Sequence, residues 1–276
     1  MKRILFLTLL FITSALFTTS ACLAQQNYTL EAKRCVVAGN YNFWVSTPYF
    51  FNETNEKMPL VVFLHGKSLC GNDLNKVKKY GTIAALERGL ELDAVCLAPQ
   101  NPGGPWNPEK LVKLLDYMEK NYRVDHNRIY VIGMSLGGYG TMDFVNAHPE
   151  RIAAAMAMGG GCSDQQYAGL SQVPLWIVHG TADRLVPVSA SQKVVNGIRS
   201  NFGGNLLIYS ELPGIDHGKP ARLFYQLDTY YWLMGHSLDY RRVDRSFTID
   251  NQTLNRSYSD NMQHDFYEEE DEAYFE

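Results

Sequence analysis

Gly133-Met134-Ser135-Leu136-Gly137 sets a hydroxyl at the centre of a pentapeptide whose outer positions are both glycine. A serine hydroxyl attacks carbon usefully only when a base takes its proton, and histidine is the side chain best matched to that task near neutral pH. The chain holds seven histidines, and their positions sort them. His217 lies in Gly214-Ile215-Asp216-His217-Gly218, just after the apolar run 206–212, where a late strand would deliver a base. His65 and His179 each precede a glycine at a strand end and are expected to shape loops. His126, His148 and His236 flank helices, and His264 belongs to the tail. An acid must orient the base, and Asp183 in Val178-His179-Gly180-Thr181-Ala182-Asp183 also leaves an apolar run. It follows Ser135 by 48 residues and precedes His217 by 34, room for one strand and one helix in each interval. Asp164 and Asp216 are weaker candidates, because Asp216 adjoins His217 and neighbouring side chains in an extended loop point apart. The oxyanion of an acyl transfer needs two backbone N–H donors. Leu136 and Lys67, the latter in Leu64-His65-Gly66-Lys67-Ser68, are expected to supply them.

These residues act together only if strands carry them to one edge. The pentapeptide stands between an apolar strand at 129–132 and a helix at 136–147, so the turn is tight and Ser135 must take a strained backbone conformation. Residues 28–47 read as a hairpin or two short strands, with the turn at Gly39-Asn40. Further strands are expected at 60–64, 94–98, 128–133, 152–158, 174–178 and 206–212. Helical spacing appears at 74–89, 108–122, 189–200 and 221–235. Alternation of this kind predicts an α/β fold with right-handed crossovers, a mainly parallel sheet and helices on both faces. About 14 residues separate Met158 from Val173, too few for a helical cap over the site. The expected cleft is therefore open and shallow, shaped by Trp106, His65 and Cys162-Ser163.

The 276 residues are 46% hydrophobic and 20% charged, which excludes a disordered polymer, a collagen-like repeat and a coiled coil. A net charge of −4 without a Lys/Arg-rich stripe argues against nucleic acid as a partner. Lys2 and Arg3 precede an apolar stretch from Ile4 to Phe17, too short to span a membrane and suited to an export signal cut after Ala24. A competing reading takes Thr19-Ser20-Ala21-Cys22 as a lipoprotein box with Cys22 lipidated. One domain is expected over 25–240, followed by an extension, 241–276, whose acidic end (seven acids within 265–276) is expected to be mobile. Without the leader and that acidic end the body carries 23 basic and 22 acidic residues, so its field says little about substrate. Cys35, Cys70, Cys96 and Cys162 remain after the cut and allow three two-bridge pairings, although Cys96 reads as a small buried hydrophobe. No spacing resembles a zinc site, and neither metal nor cofactor is expected.

Leu64-His65-Gly66, Gly71-Asn72-Asp73, the segment 129–140, His148-Pro149, His179-Gly180-Thr181-Ala182-Asp183 and Gly214–His217 together resemble the α/β-hydrolase superfamily. Within it the chain is similar to secreted single-domain esterases, predicted peptidases, and polyhydroxybutyrate-depolymerase-like or dienelactone-hydrolase-like proteins. Dienelactone hydrolases use cysteine where Ser135 stands, which sets that particular reaction aside. The resemblance implies a secreted serine hydrolase acting on small or polymer-borne carboxylic esters, with a prolyl-oligopeptidase-like peptidase as the alternative. A non-catalytic binding protein on the same fold is a third possibility, disfavoured because such a module has no need of Ser135, Asp183 and His217 together.

Overall fold

Every residue of Met58–Leu64 (β3) is buried, as befits a parallel strand covered on both faces. Its side chains alternate between two cores: Leu60, Val62 and Leu64 enter one, Val61 and Phe63 the other. In the computed structural model, which describes residues 27–260, this pattern recurs across an eight-stranded sheet. The remaining strands are β1 (Tyr28–Lys33), β2 (Asn42–Pro48), β4 (Val95–Gln100), β5 (Val124–Met134), β6 (Ala154–Met158), β7 (Leu175–Gly180) and β8 (Leu207–Leu212). Their order is β1-β2-β4-β3-β5-β6-β7-β8, parallel from β4 onward, with the β1–β2 hairpin joined antiparallel at one edge.

Helices α2 (Pro108–Asn121), α3 (Leu136–Ala147) and α4 (Ser189–Phe202) cover the first core. Helices α1 (Thr82–Glu87), α5 (Leu227–Met234) and α6 (Asn251–Asp260), with a 3₁₀ turn at Lys219–Tyr225, cover the second. The α/β architecture read from the alternation is thus the one present, and no helical cap is inserted between β6 and β7. Since β3, β5, β7 and β8 run the same way, the loops carrying Lys67, Ser135, Asp183 and His217 all leave one rim of the sheet. The chain passes from β3 to opposite sides for β4 and β5, so this rim includes the switch in strand order where open α/β sheets place their ligands.

Three expectations need correction. The single helix over 74–89 is instead a 3₁₀ turn, Leu74–Lys78, followed by α1. Between them Gly81 (φ +93°) approaches the Phe63 ring so closely that a Cβ would lie 2.1 Å from it. The helix expected at 221–235 is likewise split at Gln226, whose side-chain amide donates to the Thr253 carbonyl. That bond also moves the boundary placed at 240. Beyond it the Arg241 guanidinium donates to the carbonyls of Gln172, Pro149 and Ile152, and Leu254 is buried in the second core. The packed body therefore reaches at least Leu254. The leader at 1–24, Cys22 and the acidic stretch 265–276 lie outside the described residues. Among those described, no helix is long and apolar enough to cross a membrane, and Cys35, Cys70, Cys96 and Cys162 are free thiols.

Candidate active site

Ser135 joins β5 to α3 in one residue, at φ +59° and ψ −121°, a conformation L side chains rarely adopt. The neighbouring glycines make that turn possible. A Cβ on Gly133 would lie 2.3 Å from the Gly137 carbonyl oxygen, and one on Gly137 would lie 1.8 Å from that of Leu64. The Ser135 N–H is fixed by donation to the Met158 carbonyl at the end of β6 (2.8 Å). Leu136 opens α3, and its N–H has no protein acceptor among the described residues, leaving a donor beside the hydroxyl at the positive end of the helix.

Asp183 and His217 come from two loops that are knitted together. Ala182 N–H donates to the Ile215 carbonyl (3.0 Å) and Gly214 N–H to Thr181 Oγ1 (2.9 Å). Gly180 runs so near Ile215 that a Cβ there would lie 2.1 Å from its carbonyl oxygen. Asp183 Oδ1 accepts from the N–H groups of Leu185 (2.9 Å) and Val186 (2.8 Å), which fixes the carboxylate plane. Its Oδ2 accepts from His217 Nδ1 at 2.6 Å, and both side chains are buried. Burial alone would push the Asp183 carboxyl above its ordinary range. Hydrogen bonds from His179, His217 and the Val186 N–H outweigh it and hold the carboxyl well below the usual carboxylate range. Gly159, next to the carbonyl that holds Ser135, faces this pair: a Cβ there would lie 3.5 Å from His217 and 3.6 Å from Asp183. All three sequence-selected residues thus lie at one rim of the sheet, around 158–159, with Asp183 and His217 in direct contact.

The third side is the loop after β3. A Cβ on Gly66 would lie 3.3 Å from Ser135 Cβ, so Lys67 adjoins the serine, and the Lys67 N–H has no protein acceptor among the described residues. Tyr80, which sequence reasoning missed, holds this loop by accepting from the Gly66 N–H (2.6 Å). Its burial pushes the phenol up to about 12, so it stays protonated.

His65 and Trp106 do not line a cleft, contrary to expectation. Trp106 is 3% exposed, donates from Nε1 to the His65 carbonyl (3.2 Å) and covers Gly140 of α3. Its flat surface fills the space between the β4–α2 connection and α3, which packing rewards more than solvent exposure does. His65 is fully buried. Its Nε2 accepts from the Asn101 N–H (3.0 Å), so Nδ1 carries the proton and donates to the Gly66 carbonyl (2.7 Å). The ring is a neutral brace between the ends of β3 and β4. The Cys162-Ser163 segment is likewise tied back, with Ser163 donating from both N–H and Oγ to Asp143.

Burial pushes His65 down to about 4, against the opposing pull of the Gly66 carbonyl. Between pH 6.5 and 4 the unfolded chain therefore binds a proton the folded one refuses. The stability tied to this group is complete above the unfolded value and falls away as pH drops toward 4, by about 3 kcal/mol in total. Urea unfolding at pH 7.5 and 4.5 should show wild type losing about 2–3 kcal/mol more than His65→Gln over that interval. Equal losses would mean that the buried ring accepts a proton in place.

The Prolyl oligopeptidase family model matches residues 102–172, a span that includes the strained serine turn. A bifunctional acetylxylan esterase/xylanase of Neocallimastix patriciarum is 25% identical over 151 residues, 52% of this chain and 22% of its own length. The chain thus spans about a fifth of that curated relative. Among solved structures, a thermostable esterase superposes with a TM-score of 0.62 at 26% identity, over 76% of this chain and 63% of that one. A ferulic acid esterase superposes at 0.57 over 75% of this chain and 97% of that one, and its 17% identity speaks to the fold alone. The chain has the α/β-hydrolase fold, and it is similar to esterases and, over residues 102–172, to the prolyl oligopeptidase family.

Proposed function

We propose that the chain is an exported serine hydrolase of carboxylic esters, working through Ser135, His217 and Asp183. One observation carries this reading: the 2.6 Å bond from His217 Nδ1 to Asp183 Oδ2, made at the rim where the turn presents Ser135. Donation through Nδ1 leaves His217 Nε2 as the acceptor nitrogen, the state a general base requires. Ser135 Oγ attacks the ester carbonyl carbon as its proton passes to His217 Nε2. The oxyanion is met by the N–H groups of Leu136 and Lys67. The imidazolium then protonates the departing alcohol oxygen, leaving an acyl-serine. Water, deprotonated by the same imidazole, releases the acid and restores Ser135. Asp183 stays ionised throughout, and its two backbone donors keep it from following the proton.

With no cap between β6 and β7, the site suits an ester presented by a bulky carrier as well as a small one. The acetylxylan esterase relative favours polysaccharide-borne acyl groups. The family model spanning residues 102–172 favours a second reading, cleavage of peptides. Export rests on the leader at 1–24, with cleavage before Gln25 preferred over lipidation at Cys22.

A fluorophosphonate probe applied to the exported fraction tests these points together. It should label one protein that begins at Gln25, with the adduct on Ser135, and a chromogenic short-chain ester should be turned over. No adduct on Ser135 would defeat the serine hydrolase reading. Turnover of peptides but not esters would replace the esterase with the peptidase.

A further inference from the structure

The carboxylate oxygen that holds His217 is shared with a second histidine. His179 Nε2 lies 3.2 Å from Asp183 Oδ2 and 2.9 Å from the Val186 carbonyl oxygen, while Nδ1 lies 2.6 Å from Ser191 Oγ. Ser191 Oγ in turn donates to the Gly160 carbonyl (2.7 Å). Both partners of Nε2 are acceptors, so that nitrogen carries a proton and shares it between them. The ring is fully buried. It ties the end of β7 to the first turn of α4, to the strand-end segment after β6, and to the acid itself. The titratable groups around it are Asp183, His217 across the shared oxygen, and Glu211 on β8, which is engaged by Gln192 and Tyr209. From α4 and from the segment after β6 it meets only a hydroxyl and, through that, a carbonyl.

We propose that His179 is a positioning residue of the Asp183–His217 pair, a role that rests on the catalytic reading above. It touches no reacting atom and acts through the carboxylate. Its proton on Oδ2 does two things. It pins the oxygen at the point from which His217 is held, and it draws off part of the negative charge that would otherwise bind the imidazolium. A pair without it is less well aimed and holds the proton on His217 more tightly.

Two substitutions separate this role from packing. His179→Leu removes the donor; His179→Gln keeps a side-chain N–H on a similar stem. The leucine variant should lose about 10- to 100-fold in kcat with KM within about twofold, as expected for a misaimed catalytic group. The acid limb of its kcat/KM profile should move to higher pH, and glutamine should restore part of both. Ser191→Ala leaves the ring in place but frees its far side, so it stands in if the leucine variant does not fold, and it should move the limb the same way. A folded variant with unaltered kcat and pH profile, or with lowered kcat and an unmoved limb, overturns the proposal. The downfield His217 Nδ1–H resonance gives a readout free of turnover. It should move on substitution at 179 even if wild type hydrolyses no ester, a result that would sink the esterase reading and keep the positioning one. An unmoved resonance overturns the positioning role.

Discussion

Ser135→Ala should lower ester turnover by about 10⁶-fold, the scale expected when the nucleophile of a cooperating triad is removed. The loss is so large because the other groups have nothing to act on. In the proposed mechanism His217 would have no hydroxyl to deprotonate, and the Leu136 and Lys67 N–H groups would have no oxyanion to meet. Ser135→Gly should be equally inactive but differ in stability. At φ +59° and ψ −121° a Cβ is strained, typically by 1–3 kcal/mol, and glycine relieves that strain. Greater freedom of the unfolded chain takes back about 0.5–1 kcal/mol, so a net gain of about 1 kcal/mol is expected from the glycine and little change from the alanine. Initial rates on a chromogenic ester and urea unfolding of both variants give the two readouts. Alanine turnover within tenfold of wild type would mean that the hydrolysis belongs to another site.

Much of this arrangement is legible in the sequence because the covalent spacing leaves few alternatives. Gly133, Ser135 and Gly137 announce a turn too tight for side chains at both flanks, and the clashes at 2.3 and 1.8 Å show the cause. Chain order and strand ends single out Asp183 and His217, since a parallel sheet delivers successive loops to one rim. What escapes the sequence depends on contacts between distant segments. Nothing near Gly81 in the chain reveals the Phe63 ring that leaves no room for a side chain at that left-handed break. Tyr80 reads as one more apolar position on a helical face, although its hydroxyl reaches back 14 residues to Gly66. Trp106 and His65 are polar-tipped residues in loops, which suggests a binding surface. Their tips are in fact spent on backbone groups inside the protein. His179 reads as a loop former because its partners, Ser191 and Asp183, are recruited only when α4 folds back over β7.

Asp183→Asn should cut kcat by about 10⁴-fold while leaving the fold in place. The size follows from which atom the amide nitrogen must replace. Oδ1 accepts from the Leu185 and Val186 N–H groups, donors that cannot change their state. The amide oxygen is therefore kept at that position, and the NH₂ is turned toward His217 and His179. A donor now faces His217 Nδ1, which must give up its proton to accept. The hydrogen then sits on Nε2, where the base needs a lone pair for the Ser135 proton. The substitution also changes the acid behaviour of the fold. The Asp183 carboxyl titrates below its unfolded value of about 4, so its stabilising contribution is present above that value and is lost as pH falls beneath it. Wild type should lose stability steeply on acidification below pH 4, with Asp183→Asn showing a flatter curve over the same range. Steady-state kinetics at neutral pH and thermal melts from pH 5 to pH 2 read the two effects separately. An asparagine variant with near-normal kcat would place the orienting acid elsewhere, and parallel melting curves would show that the carboxylate is no better stabilised in the folded chain than in water.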